Sequence, residues 1–450
     1  MIVTDTIAAL STAPGMAAIA VLRLSGPKAY PVIERLSPTL PLEPLARHAY
    51  FVPVIDAEGR IDEAVVTFFP GPNSYTGEDV VEVSIHGSTY IQQRVLQAML
   101  DGGARVALPG EFTQRAFLNR KLDLSQAEAV ADLIASQSAA QHRLAIQQLR
   151  GGFGAHIEDL RQQLIDFAAL IELELDFGEE DVQFAQRVEL LALLDRLVDL
   201  STELIDSFRY GNAIKQGIPV AIVGAPNSGK STLLNALLRE DRALVSDIPG
   251  TTRDTVEETM AIGGFLFRFI DTAGLRKATD VVEQMGIERS YKKASEASLV
   301  LLLGDASKIS EGALRTEAAL LQERIGTGPH VLPVLNKCDL EGVRISQDTI
   351  AISARNGIGL EALKEAFVAH VRAMQSGPGD IVVTNARHVD ALTKARDALH
   401  EAKRAIDQGV SGELLAIDLR RAQHHLGEIT GKIAPDDLLG SIFGRFCIGK

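Results

Sequence analysis

The run Gly224-Ala225-Pro226-Asn227-Ser228-Gly229-Lys230-Ser231 has the spacing GxxxxGK[ST], which is chemistry for polyphosphates. Its glycines let backbone N–H groups turn inward around phosphate oxygens. Lys230 is placed to bridge the β- and γ-phosphates, and the Ser231 hydroxyl to ligate Mg²⁺. Further on, Asp271-Thr272-Ala273-Gly274 is a DxxG: Asp271 holds Mg²⁺ through water and the Gly274 N–H reaches the γ-phosphate. Gly250-Thr251-Thr252-Arg253-Asp254 offers Thr252 as a second hydroxyl for Mg²⁺.

Two later patterns choose the base. Asn336-Lys337-Cys338-Asp339 is an NKxD. A carboxylate at Asp339 accepts from N1–H and the exocyclic amine of guanine, a donor pair that adenine lacks. Asn336 braces the loop, and the Lys337 stem covers the base. Ser353-Ala354-Arg355 is placed to give a backbone N–H to the guanine carbonyl oxygen. The elements fall at 224, 251, 271, 336 and 353, the order of a translation-factor-like GTPase. The predicted GTP surface is Asn227, Ser228, Gly229, Lys230, Ser231 and Thr232, then Ser246, Asp247, Ile248, Pro249, Gly250, Thr251 and Thr252. Asp271, Thr272, Ala273, Gly274, Asn336, Lys337, Asp339, Ser353, Ala354 and Arg355 complete it.

Hydrolysis needs something more. Where Ras-like enzymes carry a water-orienting glutamine after DxxG, this chain has Leu275, which cannot hydrogen-bond. Either the domain binds GTP and scarcely cleaves it, or another acid orients the water. Asp280, Glu283 and Glu288 are the nearby carboxylates. Arg253 and Arg276 are either cations for the transition state or solvated surface residues.

These residues must be held by strands and helices in alternation. Val220–Val223 reads as a buried strand into the Gly-rich loop, and Thr232–Leu238 as the helix leaving it. Phe265–Ile270, Leu332–Leu335 and Ile350–Ile352 are further strands. Residues 217–375 are therefore expected to be a P-loop α/β domain of Ras-like type with a parallel sheet. It interrupts a helical bundle whose parts are residues 119–210 and 380–450, with Gln375–Gly379 as linker. Ser125-Gln126-Ala127-Glu128 reads as the capping box that opens the bundle. Residues 1–118 are an α+β domain, with strands over Ala17–Leu24, Glu63–Phe69 and Val80–Ile85 and a helix over Thr89–Leu100. The fold class is multidomain α/β.

Composition narrows the context. With 450 residues and 46% hydrophobic content, the chain has material for several cores. Two cysteines, Cys338 and Cys447, exclude a disulfide framework and a thiolate-built zinc site. Met1–Asp5 has no secretory pattern, and the longest strongly apolar run, Leu299–Leu303, is too short to span a bilayer. A soluble cytoplasmic protein is expected. The net charge of −14 repels phosphate backbones, so nucleic-acid contact requires a local patch. Arg115, Arg120, Lys121, Arg420 and Arg421 are candidates for one.

Taken together, the sequence resembles the tRNA-modification GTPase MnmE (TrmE) family from end to end. The resemblance rests on Leu22-Arg23-Leu24-Ser25-Gly26, Phe69–Asp79 (FPGPNSYTGED), Pro109–Thr113 (PGEFT) and Lys121–Leu124 (KLDL). GTTRDT, DTAGLR and the terminal Phe446-Cys447-Ile448-Gly449-Lys450 add to it. It implies an N-terminal folate-binding and dimerisation domain, a helical domain and an inserted G domain. It implies a homodimer that forms a heterotetramer with an FAD-dependent MnmG-type enzyme. The pair would modify wobble uridine (position 34) of certain tRNAs at carbon 5, giving an aminomethyl or carboxymethylaminomethyl group. The carbon would come from 5-formyltetrahydrofolate or 5,10-methylenetetrahydrofolate. The alternative is a regulatory GTP-binding switch, for instance in ribosome assembly, with no part in uridine chemistry.

The same resemblance assigns residues. K⁺ takes the place of an arginine finger, with Asn227 and the carbonyls of Ser246, Ile248 and Thr251 as ligands. Mg²⁺ falls to Ser231 and Thr252, and Glu283 is the catalytic water-orienting glutamate beside Lys230 and Asn227. The family's folate pattern maps to Arg23, Glu82, Lys121 and Lys450. Cys447 has two readings, a small buried hydrophobe or a nucleophile or thiol sensor near the folate pocket. His86 and the His424-His425 pair, without acidic partners at metal-ligand spacing, read as structural. The chain departs from the family pattern at Met16-Ala17-Ala18 and at Ser88.

Overall fold

In the computed structural model, residues 5–176, 187–242, 258–270, 291–340, 349–375, 381–408, 410 and 412–449 are described. The fold is multidomain α/β, and the chain divides into two compact units. One comprises Met1–Ala131, Gln148–Ile165 and Gln423–Lys450; the other comprises Asp132–Gln147 and Asp166–Ala422.

The first unit is built on a six-stranded sheet in the order β3-β4-β5-β2-β1-β6. Its strands are β1 (Ile7–Leu10), β2 (Ile19–Ser25), β3 (Ala49–Asp56), β4 (Gly59–Phe69), β5 (Val80–His86) and β6 (Arg105–Val106). The alternating sequence of β2 and β5 puts Leu22, Leu24, Val81 and Val83 on one face, against helices α1 (Ala29–Leu36) and α2 (Thr89–Asp101). Arg23 and Glu82 then fall on the other face and stand opposite each other in the antiparallel register. Among the elements that escape the sequence reading, two carry a proline within the run. Pro53 sits in β3, which lies at the sheet edge where a missing N–H is tolerated. Pro31 sits in the first turn of α1, where the N–H has no helical partner.

Beyond α3 (Glu111–Leu118), helix α4 runs Leu124–Ala135. Its cap is Asp123, not Ser125. The Asp123 carboxylate accepts from the Gln126 N–H at 2.8 Å, and the Gln126 carboxamide accepts from the Asp123 N–H at 2.9 Å. The capping box is thus D-x-x-Q, two residues earlier than the serine pattern predicts, and Ser125 donates to Asp123 inside the first turn at 2.6 Å. Helix Asp436–Phe443 packs Leu439 and Phe443 onto Leu124 and Ala127, with Phe117 and Phe446 at the margin.

The second unit contains the helices α5 (Ala139–Leu149, in part), α6 (Gly152–Asp176, in part) and α7 (Arg187–Gln216), and a second six-stranded sheet. Helix Ala386–Asp407 packs along α7, with an ion pair from Lys403 to Asp195. Gly211 permits the close passage of the segment leading into that helix, because a Cβ there would lie 2.1 Å from the Val383 carbonyl oxygen.

The second sheet has the order β12-β11-β10-β7-β9-β8. It consists of β7 (Ile218–Val223), β8 (Glu258–Ile262), β9 (Phe265–Phe269), β10 (Leu299–Asp305), β11 (His330–Asn336) and β12 (Ile350–Ile352). All neighbours are parallel except the β8–β9 pair. β10 is central and wholly buried, which explains why it reads LVLLLG with no polar alternation. Among the described residues, no helix is long and apolar enough to cross a membrane.

Candidate functional site

Four parallel strands end at one edge of the second sheet, the edge where ligands of open α/β sheets bind. β7 delivers Gly224–Gly229, β10 delivers Asp305, β11 delivers Asn336–Asp339, and β12 delivers Ser353–Arg355.

The Gly-rich loop is a tight turn with three residues at positive φ: Gly224 at 145°, Asn227 at 62° and Gly229 at 101°. Asn227 is a non-glycine in the left-handed region, a conformation asparagine tolerates better than most. Its side chain is exposed, while Ser228 beneath it is fully buried. Helix α8 (Lys230–Arg242) starts as soon as the loop closes, so the loop amides and the helix N-terminus share one concavity. The Lys230 ammonium donates to the carbonyls of Gly224 and Ala225 at 2.7 and 2.9 Å, which folds it over the loop. Burial pulls its pKa below the ordinary lysine value.

Asn336 is the keystone of the site. Its Nδ2 donates to the Ser228 carbonyl at 2.8 Å, and its Oδ1 accepts from the Ala354 N–H at 3.0 Å. One buried carboxamide therefore ties together three loops that are distant in sequence. The fit is close enough that a Cβ on Gly229 would lie 2.1 Å from Asn336 Nδ2. The bracing role expected of Asn336 is what the geometry shows.

Lys337 has φ of 66°, and its ammonium pairs with Asp305 at 2.6 Å. Asp339 accepts from the Asn356 carboxamide at 3.0 Å. In the 353–355 loop, the Ser353 N–H is engaged by the Ile358 carbonyl and the Ala354 N–H by Asn336. The backbone donor expected here for guanine is thus Arg355, or Ala354 after exchanging its partner. The sequence reading missed Asp305 and Asn356. A signal for Asp305 existed: it is the first charged residue after the apolar β10 run, and the parallel register sets it level with Asn336.

The candidates Ser246, Asp247, Ile248, Pro249, Gly250, Thr251, Thr252, Asp271, Thr272, Ala273, Gly274 and Glu283 lie outside the described residues, as does Lys450.

In the first unit, Arg23 and Glu82 come together. Nε and Nη2 of Arg23 both donate to one Glu82 oxygen, at 3.0 and 2.7 Å. The guanidinium also lies 5.5 Å from the Tyr75 ring centroid and 5.7 Å from that of Phe112. Lys121 is exposed beside Gly77. The terminal segment joins the same unit: the Cys447 carbonyl accepts from the Gly110 N–H at 3.4 Å, and the Cys447 side chain is exposed, not buried.

Three expectations need correction. Arg115 belongs to no surface patch. It is 2% exposed and surrounded by Asp5, Glu78 and Glu111, at 2.8, 3.1 and 3.3 Å. Burial acts to raise the pKa of Asp5 and Glu111, but Arg105 and Arg115 outweigh it and hold both carboxyls below their ordinary values. Arg420 and Arg421 are paired with Glu172 and Asp418. His86 does have an acidic partner: cross-strand packing brings Asp62 to 2.8 Å from its Nδ1, and His424 and His425 both face Glu428.

The sheet order, the Gly-rich loop before α8 and the Asn336-centred loop junction define a P-loop GTPase. Comparison with known proteins agrees over the full length. Residues 124–447 match the family model "MnmE helical domain", and residues 6–121 match "GTP-binding protein TrmE N-terminus". The tRNA modification GTPase MnmE of Cytophaga hutchinsonii is 49% identical, covering 99% of this chain and 98% of that one. Its counterpart in Christiangramia forsetii is 47% identical over 100% of both chains. Among solved structures, the FeoB G-domain from Methanococcus jannaschii matches 34% of this chain and 98% of that one, at 28% identity with a TM-score of 0.26. The chain belongs to the tRNA modification GTPase MnmE family.

Proposed function

We propose that this GTPase is K⁺-stimulated, uses Mg²⁺, and works in the cytoplasm as a homodimer that joins an FAD-dependent MnmG-type enzyme. Together they form the 5-aminomethyl or 5-carboxymethylaminomethyl group on wobble uridine 34 of certain tRNAs, with a tetrahydrofolate one-carbon unit as carbon source. GTP cleavage drives movement of paired G domains, and that movement regulates the uridine chemistry.

The observation that carries this reading is Asn227. A left-handed, exposed carboxamide in the phosphate loop fits a monovalent cation. A cation there would supply the transition-state charge that an arginine finger supplies in other GTPases. Asn227 with the carbonyls of Ser246, Ile248 and Thr251 would hold K⁺; Ser231 and Thr252 would hold Mg²⁺; Glu283 would orient the water. Asp339, steadied by Asn356, would read the guanine edge. In the N-terminal unit, Glu82 would meet the donor edge of a pterin while Arg23, between Tyr75 and Phe112, would meet its oxygens, with Lys121 and Lys450 beside them. Exposure of Cys447 supports the reading of that thiol as a participant rather than a core residue.

The test has two readouts. Replacing K⁺ by Na⁺ should slow GTP hydrolysis strongly, and Glu283→Ala should cut turnover while GTP affinity is kept. Mass spectrometry of wobble uridines from cells lacking the protein should show the carbon-5 group missing. Unaltered uridines with intact K⁺-dependent hydrolysis would leave a regulatory switch instead.

A further inference from the structure

Asp305 has no part in the nucleotide motifs, yet its carboxylate is 7% exposed and fully engaged at their centre. Oδ1 accepts from the N–H and the hydroxyl of Ser307 at 3.1 and 2.7 Å, an Asx turn that fixes the carboxylate plane. Oδ2 is thereby turned to the Lys337 ammonium at 2.6 Å. The backbone is tied at the same level, since the Ala306 N–H donates to the Asn336 carbonyl at 2.9 Å. Lys337 is also fixed at its root by a left-handed backbone. Both ends of that side chain are held, and the methylene stem between them is constrained to one course.

We infer that Asp305 is a positioning residue for nucleotide binding: it anchors the Lys337 ammonium so that the stem forms a preset platform for the face of the base. The inference rests on the reading of Asn336–Asp339 as the guanine site, and it assigns that site a division of labour. Asp339 reads the edge of the base; the Asp305–Lys337 pair supports its face. An untethered lysine stem would lose rotamer freedom on binding, and Asp305 removes most of that cost beforehand.

Face support is indifferent to the exocyclic amine, which gives the experiment its discrimination. Fluorescent-analogue competition would measure affinity for GDP and for inosine diphosphate, which lacks that amine. Asp305→Asn keeps the shape and the Ser307 contact but turns a neutral amide toward Lys337. It should weaken both nucleotides by the same factor, about tenfold for loss of a charge-assisted hydrogen bond. In hydrolysis, KM should rise several-fold more than kcat falls. Asp339→Asn should weaken GDP much more than inosine diphosphate. Lys337→Met retains an apolar stem, and adding Asp305→Asn to it should cost nothing further, since the anchored charge is gone. Selective loss of GDP in Asp305→Asn would overturn the inference, as would additive losses in the double variant. So would a lower melting temperature with unchanged affinity, which is what a purely structural ion pair gives. If the unaltered protein binds neither nucleotide, the underlying guanine reading fails instead.

Discussion

At the scale of single residues, chemistry here is set by what neighbours do to a charge or an amide. Burial acts to raise the pKa of Asp305, and Lys337 and Ser307 overcome it, leaving the carboxyl at about 2. His370 goes the other way for a base. Burial first, then His330 stacked at 5.2 Å and Arg209, lower its pKa to about 4. The groups facing it are His330 and Ser298, with Arg209 held by the Gly328 carbonyl across a cavity of about 500 Å³. An unfolded histidine titrates near 6.5, so between pH 6.5 and about 4 the unfolded chain binds a proton that the folded one refuses. The contribution of His370 to stability should therefore be complete above 6.5 and fall as pH drops toward 4, by less than about 1 kcal/mol per pH unit because solvent screens this half-buried ring. Melting temperatures from pH 7.5 to 4.5 check this, and His370→Gln should flatten the slope over that window. A slope unchanged by the substitution would remove His370 from the account.

At the scale of elements, the site depends on loops that approach one another more closely than side chains allow. Gly229 combines φ of 101° with the Asn336 carboxamide where a Cβ would stand. Gly229→Ala should push Asn336 off the Ser228 carbonyl and release the 353–355 loop with it. We expect loss of GTP and GDP binding by tenfold or more, with a smaller fall in melting temperature; equilibrium binding beside thermal unfolding measures both. How much of this was legible follows from the same geometry. GxxxxGK[ST], NKxD and the strands ahead of them could be read because each is a short contiguous pattern with a local cause. The place of Asp305 at the end of an apolar run was legible too, but its pairing was not, since Lys337 is 32 residues away and only the β10–β11 register makes them neighbours. Arg115 was misread for a related reason: a guanidinium reads as surface until three carboxylates from separate segments are seen to enclose it. The helix cap at Asp123 was missed by two residues because Ser125 and Glu128 mimic the capping pattern, and only the hydrogen bonds distinguish them.

At the scale of the whole molecule, the first unit draws on three separated stretches of chain. Helix Asp436–Phe443 covers Leu124 and Ala127, and beyond it the Gly449 carbonyl accepts from the Ser11 hydroxyl at 3.3 Å. The following backbone lies so close to β1 that a Cβ at Gly449 would stand 2.2 Å from the Leu10 carbonyl oxygen. A variant ending after Thr430 should leave Phe117, Leu124 and Ala127 uncovered. It should melt at lower temperature and bind a dye for exposed apolar surface, while the second sheet's nucleotide affinity is retained. Equal melting temperatures for the truncated and full chains would show that this cover is dispensable.

The terminal helix's place in the first unit also bears on how the protein is made. On the ribosome, Leu124 emerges about 300 residues before Leu439, the side chain that will shield it. At elongation speeds of about 5–20 residues per second that interval lasts tens of seconds. Throughout it the nascent chain must carry a greasy, half-finished surface while an entire nucleotide-binding body is synthesised in between. Chaperone capture during translation, and sensitivity of yield to elongation rate, are the natural costs of closing a structure with a piece made so much later.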